Sequence, residues 1–74
     1  MEEKLPEELK KWLEEKKSKL SEYEIVEMFI KGKDRITVKV KEKDLTGPEM
    51  SELKDRGLAF YLEPPGYVYV YKKD

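Results

Sequence analysis

The side chains that most often perform acid–base or nucleophilic chemistry are largely missing from this sequence. It contains no histidine and no cysteine, which removes the usual general base and the thiolate nucleophile. The serines are Ser18, Ser21 and Ser51, and none has a plausible activating partner. Glu24 and Glu27 are one helical turn apart if the segment is helical, but a solvated helix face explains this spacing better than catalysis. The sequence therefore predicts no catalytic residues and a protein that is not an enzyme.

Metal, phosphate and cofactor sites are not predicted either. Without histidine or cysteine a structural zinc site is excluded. A calcium site built from carboxylates needs several acidic residues in one loop, and the loop that we expect at Asp44–Gly47 has only Asp44. Lys31-Gly32-Lys33 matches no phosphate-loop spacing. We therefore expect no metal and no cofactor.

Tyrosines near the C-terminal end form the strongest candidate for a binding surface. They are Tyr61, Tyr67, Tyr69 and Tyr71. A three-residue loop at Pro64-Pro65-Gly66 would place all of them on one face of a hairpin and leave the other face apolar. Lys39 and Lys41 of a neighbouring strand could lie beside them. We expect the rings to be partly exposed unless the first helix covers them.

This aromatic face has three interpretations, and the sequence leaves them open. Tyrosine has a high strand propensity and lysine stems can cover its ring, so the face could be purely structural. Tyrosine is also enriched in protein interfaces, so the face could bind a partner protein or a second copy of the chain. Single-stranded bases could stack on the rings, although the net charge of −1 gives little attraction to nucleic acid or to an anionic membrane.

The first part of the chain predicts helices. Apolar residues recur at helical spacing from Pro6 to Leu20, which indicates the first helix. Ser21–Lys31 fits a second helix, because Ser21 and Glu24 form a capping-box pattern and Gly32 provides a stop. Apolar residues in this segment also alternate, which fits a strand. We take the helix as the main interpretation and the strand as the alternative.

The rest of the chain predicts strands and one short helix. Arg35–Lys43 alternates apolar and polar residues like a strand, and Pro48–Arg56 fits a short helix. Leu58–Glu63 and Tyr67–Lys72 fit a hairpin. The order is then α-α-β-α-β-β in one α+β domain, residues 1–74, with a three-stranded antiparallel sheet packed on the helices. The strand alternative for residues 21–31 gives α-β-β-α-β-β and a four-stranded sheet.

One apolar core must stabilise this chain, because it has no cysteine for a disulfide. Helical spacing and strand alternation indicate which side chains form that core. The residues that we expect to be mostly buried are Leu9, Trp12, Leu13, Ile36, Val38, Val40, Leu53, Phe60, Val68 and Val70.

The stretch from Leu53 to Leu58, followed by the hairpin through Pro65-Gly66-Tyr67, resembles the end of a winged-helix domain. In that family a recognition helix ends on a glycine and leads into a two-stranded wing. The C-terminal winged-helix domains of archaeal replicative helicases are similar over this stretch. This chain departs from the pattern, because a strand-like segment at Ile36–Val40 takes the place of the preceding helix and acidic residues alternate with basic ones on the short helix. The resemblance therefore implies a protein-binding winged helix more than a reader of DNA.

The composition limits the origin and the location of the protein. Charged residues make up 45% of the chain, and asparagine and glutamine are absent. Hyperthermophile proteins and designed proteins both have this composition, and both are thermostable. The single alanine, Ala59, argues mildly against design, because designed helices usually contain more. Both origins stay open, with design as the main interpretation. The first residues lack the apolar stretch of a signal peptide, so we expect a soluble protein, cytosolic or recombinant, with no targeting signal.

Together these features predict a small, stable, non-enzymatic domain. We interpret it as a designed scaffold or binder, or as a protein-interaction module. A nucleic-acid-binding domain, through the winged-helix resemblance or through the Tyr/Lys face, is the alternative.

Overall fold

The computed structural model describes residues 5–74 and shows an α+β fold with two helices and a four-stranded antiparallel sheet. The elements are α1 (Glu7–Lys16), β1 (Tyr23–Ile30), β2 (Lys33–Lys41), α2 (Gly47–Asp55), β3 (Leu58–Glu63) and β4 (Tyr67–Lys72), with a 3₁₀ turn at Glu42–Asp44. The strands lie in the order β1-β2-β4-β3, so that β1 and β3 form the two edges of the sheet. The α+β class is confirmed, and the alternative order with four strands is the one observed.

The main interpretation of residues 21–31 as a helix is wrong, because this segment forms strand β1. β1 pairs antiparallel with β2 through a two-residue turn, Lys31-Gly32, between Ile30 and Lys33. Both turn residues have positive φ, 52° and 89°, which gives the twist that a tight hairpin needs. The pairing also places Ile25 beside Val38 against the core, a gain that local helix signals do not outweigh.

Ser21 therefore does not cap a helix. Its backbone N–H and its Oγ both donate to Oδ2 of Asp44, at 2.9 Å and 2.8 Å. These bonds join the segment before β1 to the 3₁₀ turn after β2, and they hold the pKa of Asp44 below its usual range. The Ser-x-x-Glu spacing that indicates a capping box is thus used for a contact between two loops.

The apolar core lies between the helices and one face of the sheet, which we call the helix face. α1 contributes Leu9, Trp12 and Leu13, and α2 contributes Leu53. The sheet contributes Val38, Val40, Val68 and Val70, all fully buried. The predicted core is confirmed except for Ile36, which is half-buried, and Phe60, which is 38% exposed because β3 is an edge strand.

α1 ends at Lys16, four residues before the predicted end at Leu20, and it has no side-chain cap. α2 begins and ends where the sequence provides a signal. Thr46 caps α2: its Oγ accepts from the N–H of Glu49, and the Glu49 carboxylate accepts from the N–H of Thr46. Gly57, which follows the last turn of α2 and has a φ of 77°, stops the chain from continuing as a helix. α1 is ten residues long, and none of the helices within residues 5–74 has the length and apolar character needed to cross a bilayer.

Glu49 also joins the two helices electrostatically. Lys16 of α1 places Nζ 3.1 Å from Oε2 of Glu49, and Lys19 binds the other carboxylate oxygen. The hydrogen bonds from Lys19 and from the Thr46 backbone lower the pKa of Glu49 to about 2. Protonating this carboxylate would therefore oppose folding.

We expect the Glu49→Gln substitution to remove about 2 kcal/mol of stability at pH 7. The folded pKa lies below the unfolded one, so this stabilisation is fully present above about pH 4.5 and disappears as the pH falls toward 2. Urea unfolding of the wild-type chain and of Glu49→Gln at pH 7, 4 and 2.5 measures this difference in stability. Glu14→Gln, on the exposed side of α1, is the control and should change little at any pH. A difference between Glu49→Gln and wild type that is the same at pH 7 and pH 2.5 would contradict the assignment.

Candidate protein-binding surface

The tyrosines lie together on the sheet face opposite the helices, which we call the tyrosine face. Glu63 pairs with Tyr67 and Tyr61 with Tyr69, which confirms the three-residue loop. Paired residues of an antiparallel sheet point to the same side. The register therefore places Tyr61, Tyr67, Tyr69 and Tyr71 beside Lys39 and Lys41 of β2.

The tyrosine face is less open than the sequence predicts. Tyr69 is 6% exposed and Tyr71 is 4% exposed, whereas Tyr61 is 47% exposed and Tyr67 is half-buried. Thr37, between them on β2, is fully buried although no helix lies over this face. The expectation that all four rings are partly exposed is wrong for Tyr69 and Tyr71.

Long side chains of the sheet itself bury these rings. Nζ of Lys39 lies 4.3 Å from the centre of the Tyr67 ring, and the guanidinium of Arg35 lies 5.2 Å from the centre of the Tyr71 ring. The Tyr69 hydroxyl donates to Oε1 of Glu63 at 2.7 Å, and this bond, together with burial, raises the pKa of Tyr69 to about 12. The Lys41 side chain is directed away from the rings, and its Nζ lies 3.9 Å from Oε1 of Glu22.

Arg35 is a buried cation that the sequence analysis did not identify as structural. Its Nε donates to the carbonyl of Ile30 at 2.7 Å, and its two terminal nitrogens bind the Asp74 carboxylate at 2.8 Å and 2.7 Å. Lys33 lies 3.0 Å from the same carboxylate. These cations hold the pKa of Asp74 below its usual range. The last residue of the chain is thereby fixed against the β1–β2 hairpin.

A groove of about 940 Å³ opens beside these rings. β1 contributes Met28 and Ile30, β3 contributes Ala59 and Tyr61, and Tyr71 also lines the groove. Because β1 and β3 are opposite edges of the sheet, the sheet must curl across the tyrosine face for both to reach one groove. On the other side of β3 the groove extends to Met50, Ser51 and Lys54 of α2.

The free edge of β3 presents unpaired backbone groups to this groove. The N–H of Lys73 donates to the carbonyl of Gly57 at 3.0 Å. Hydrogen-bonded and non-hydrogen-bonded pairs alternate along an antiparallel ladder, so Ala59, Tyr61 and Glu63 form the bonded pairs with β4. The N–H and C=O groups of Leu58, Phe60 and Leu62 consequently point outward, away from β4.

The two edges of the sheet differ in their protection. β1 contains Glu24 and Glu27, which are exposed, and charged residues discourage the pairing of an edge with another chain. β3 has no charged residue before Glu63. Its side chains are also apolar and accessible, with Phe60 38%, Tyr61 47% and Leu62 48% exposed. β1 also exposes one large apolar side chain, Phe29, 71% exposed. It is the lack of charge along β3 that makes β3 the edge at which a further strand could be added.

The groove can bind but has little means to catalyse. Lysine, serine and tyrosine supply its polar groups, and among residues 5–74 none that lines it is acidic. Within residues 5–74 no cluster of potential ligands could hold a metal ion. Of the residues that line the groove, only Tyr61 and Tyr71 are among the site residues predicted from the sequence. Met28 and Ile30 are not among the predicted candidates, because the main interpretation makes their segment a helix; their alternation is the signal that points to a strand.

Comparisons of the chain with protein-family models, with curated proteins and with solved structures find no match. The function must therefore be inferred from the geometry of the groove and of the β3 edge.

Proposed function

We propose that this chain is a non-enzymatic protein-interaction domain that binds an extended segment of a partner along the free edge of β3. The observation that supports the proposal most directly is the exposure of three consecutive apolar side chains, Phe60, Tyr61 and Leu62, on an edge strand. Neighbouring exposed apolar side chains on a sheet edge indicate a surface that pairs with another chain. The binding element would be the same whether the chain is a designed scaffold or an interaction module.

Strand addition fits both the backbone and the side chains of this edge. The outward groups of Leu58, Phe60 and Leu62 would form main-chain hydrogen bonds, which give affinity in this mode. Alternate side chains of the added strand would enter the groove over Ala59 or lie beside Met50 of α2, which gives specificity. Nucleic-acid binding is supported less well, because only Tyr61 and Tyr67 of the tyrosine face are accessible for base stacking.

The substitution Leu62→Pro tests whether the edge itself is used. The Leu62 N–H points outward, so proline removes a bond to the partner while the ladder with β4 stays intact. Leu62→Thr removes the same apolar side chain but keeps the N–H. For extended peptides selected from a displayed random library against the wild-type chain, we expect Leu62→Pro to weaken binding at least tenfold more than Leu62→Thr does, measured by titration calorimetry.

Amide hydrogen exchange supplies a second measurement that needs no substitution. A bound peptide should protect the amides of Leu58, Phe60 and Leu62 and leave those on the outer edge of β1 unchanged. Equal binding by Leu62→Pro and Leu62→Thr, together with no new protection on β3, would rule out the proposal.

A further inference from the structure

We infer that the segment that binds β3 is β3 of a second copy, so that two chains pair about a two-fold axis that passes between their two Phe60 residues. This inference rests on the proposed function and names its partner. The four-stranded sheets of the two copies would join into one continuous antiparallel sheet, with an interface in which the same residues of both copies meet.

The backbone of β3 is self-complementary. Its outward groups belong to Leu58, Phe60 and Leu62, which are evenly spaced about Phe60. Two antiparallel copies centred there pair Phe60 with Phe60 and Leu58 with Leu62. Each of these is a hydrogen-bonded pair in which both N–H groups donate, so every outward group of the three residues gains a partner.

The side chains on the tyrosine face are complementary in size. In this register Ala59 of one copy lies opposite Tyr61 of the other, because both are one residue from Phe60. Ala59 is the only alanine of the chain, and it lines the groove beside Tyr71. The exposed Tyr61 ring of the second copy, 47% exposed in the single chain, would fill the groove above Ala59 and contact the Tyr71 ring.

The side chains on the helix face are also complementary. Phe60 and Leu62 are exposed on that side only because no strand lies beyond β3. Pairing places Phe60 against its equivalent and Leu62 against the buried Leu58 of the second copy. The exposed apolar side chains of β3 would thus be covered by the same set of residues, as a two-fold interface requires.

Opposite charges would meet at both ends of the paired β3 strands. The register places Glu63 of one copy opposite Gly57 of the other. Gly57 has no side chain, and beyond it on β4 lies Lys73, whose N–H donates to the Gly57 carbonyl. Lys73, Lys31 and Lys54 line the groove, and no acidic residue of the described part of the chain does. Glu63 is the only charged residue of β3, and across Gly57 it would meet Lys73 on the same face, twice in each dimer.

A charge exchange between Lys73 and Glu63 tests this arrangement. We expect sedimentation equilibrium to show a reversible dimer of the wild-type chain, and we expect Lys73→Glu and Glu63→Lys each to raise the dimer dissociation constant about tenfold, since each change creates two repulsive pairs per dimer. The double variant should regain most of the wild-type affinity. Lys10→Glu, on the exposed side of α1, is the control and should leave the dissociation constant unchanged.

The outcomes separate this inference from the proposed function. A monomer at all concentrations that still binds selected peptides at β3 would overturn the second copy as partner and leave the strand-addition function standing. A dimer that is unaffected by Leu62→Pro and by the charge exchange would overturn β3 as the contact between copies. If a selected peptide then also gives the β3 amides no protection, the proposed function is overturned as well. Circular dichroism of every variant shows whether the fold is retained. If a variant unfolds, amide exchange of the wild-type dimer still tests the contact, because dimerisation through β3 should protect the amides of Leu58, Phe60 and Leu62.

Discussion

Replacing Trp12 with alanine is expected to lower the free energy of unfolding by about 3–5 kcal/mol. The ring is 1% exposed, and it lies between α1 and the valines of the helix face. Removing it leaves a cavity in the core cluster, whose other members, such as Leu9 and Leu53, are themselves fully buried. A domain of this length has a stability of roughly 4–11 kcal/mol, so the loss would be a large part of the total.

Urea unfolding followed by circular dichroism measures this change, because the variant has no tryptophan to report by fluorescence. Trp12→Phe keeps most of the apolar volume and should cost less than half as much. Lys11→Ala, next to Trp12 but exposed, should change the stability by less than about 0.5 kcal/mol. A cost for Trp12→Ala as small as that of Lys11→Ala would mean that α1 does not pack on the sheet in solution.

The sequence predicts the elements with strong local signals and fails where distant residues decide. The Pro64-Pro65-Gly66 loop sets the register of β3 and β4, so the two faces of that hairpin are predictable from loop length and alternation. For Ser21–Lys31 the helix and strand signals coincide. Gly32 fits a helix stop and also a tight hairpin turn, and only pairing with β2 decides between them.

The position of a strand within the sheet is a second feature that local patterns do not reveal. Alternation correctly places Phe60 and Leu62 on the same face as Val68 and Val70. It does not show that β4, the last strand, lies inside the sheet and that β3 lies at its edge. The exposure of Phe60 and Leu62, on which the proposed function depends, follows from that order and from nothing in their immediate sequence.

Burial of the tyrosine face has a similar cause. The rings of Tyr69 and Tyr71 are covered by Lys39 and Arg35, more than 25 residues earlier in the chain, and Arg35 is held by Asp74 at the other end. A sequence pattern predicts that such residues share a face, but it does not predict which long side chains lie flat over which rings. The face is therefore better described as a second, thinner packed layer than as an open aromatic strip.

The existence of that second layer can be measured with one matched pair of substitutions. Tyr71→Thr and Tyr67→Thr change the same residue type on the same strand and the same face, and threonine keeps the strand propensity. Tyr71 is 4% exposed and lies under the Arg35 guanidinium, whereas Tyr67 is half-buried near the loop. We expect Tyr71→Thr to cost about 3 kcal/mol of unfolding free energy and Tyr67→Thr about 1 kcal/mol.

Denaturant unfolding at one low protein concentration, at which association does not contribute, measures both values. Similar small costs would show that the face is solvated and that the rings serve only as strand formers. A large cost for Tyr71→Thr alone would show that the sheet is stabilised from both sides. In that case the groove over Ala59 has a rigid floor, because the ring that forms it is fixed by Arg35, Asp74 and the β1–β2 hairpin. A rigid floor lowers the entropy cost of binding a strand at β3. The Tyr71→Thr substitution should therefore lower both the free energy of unfolding and the affinity of the β3 edge for a strand.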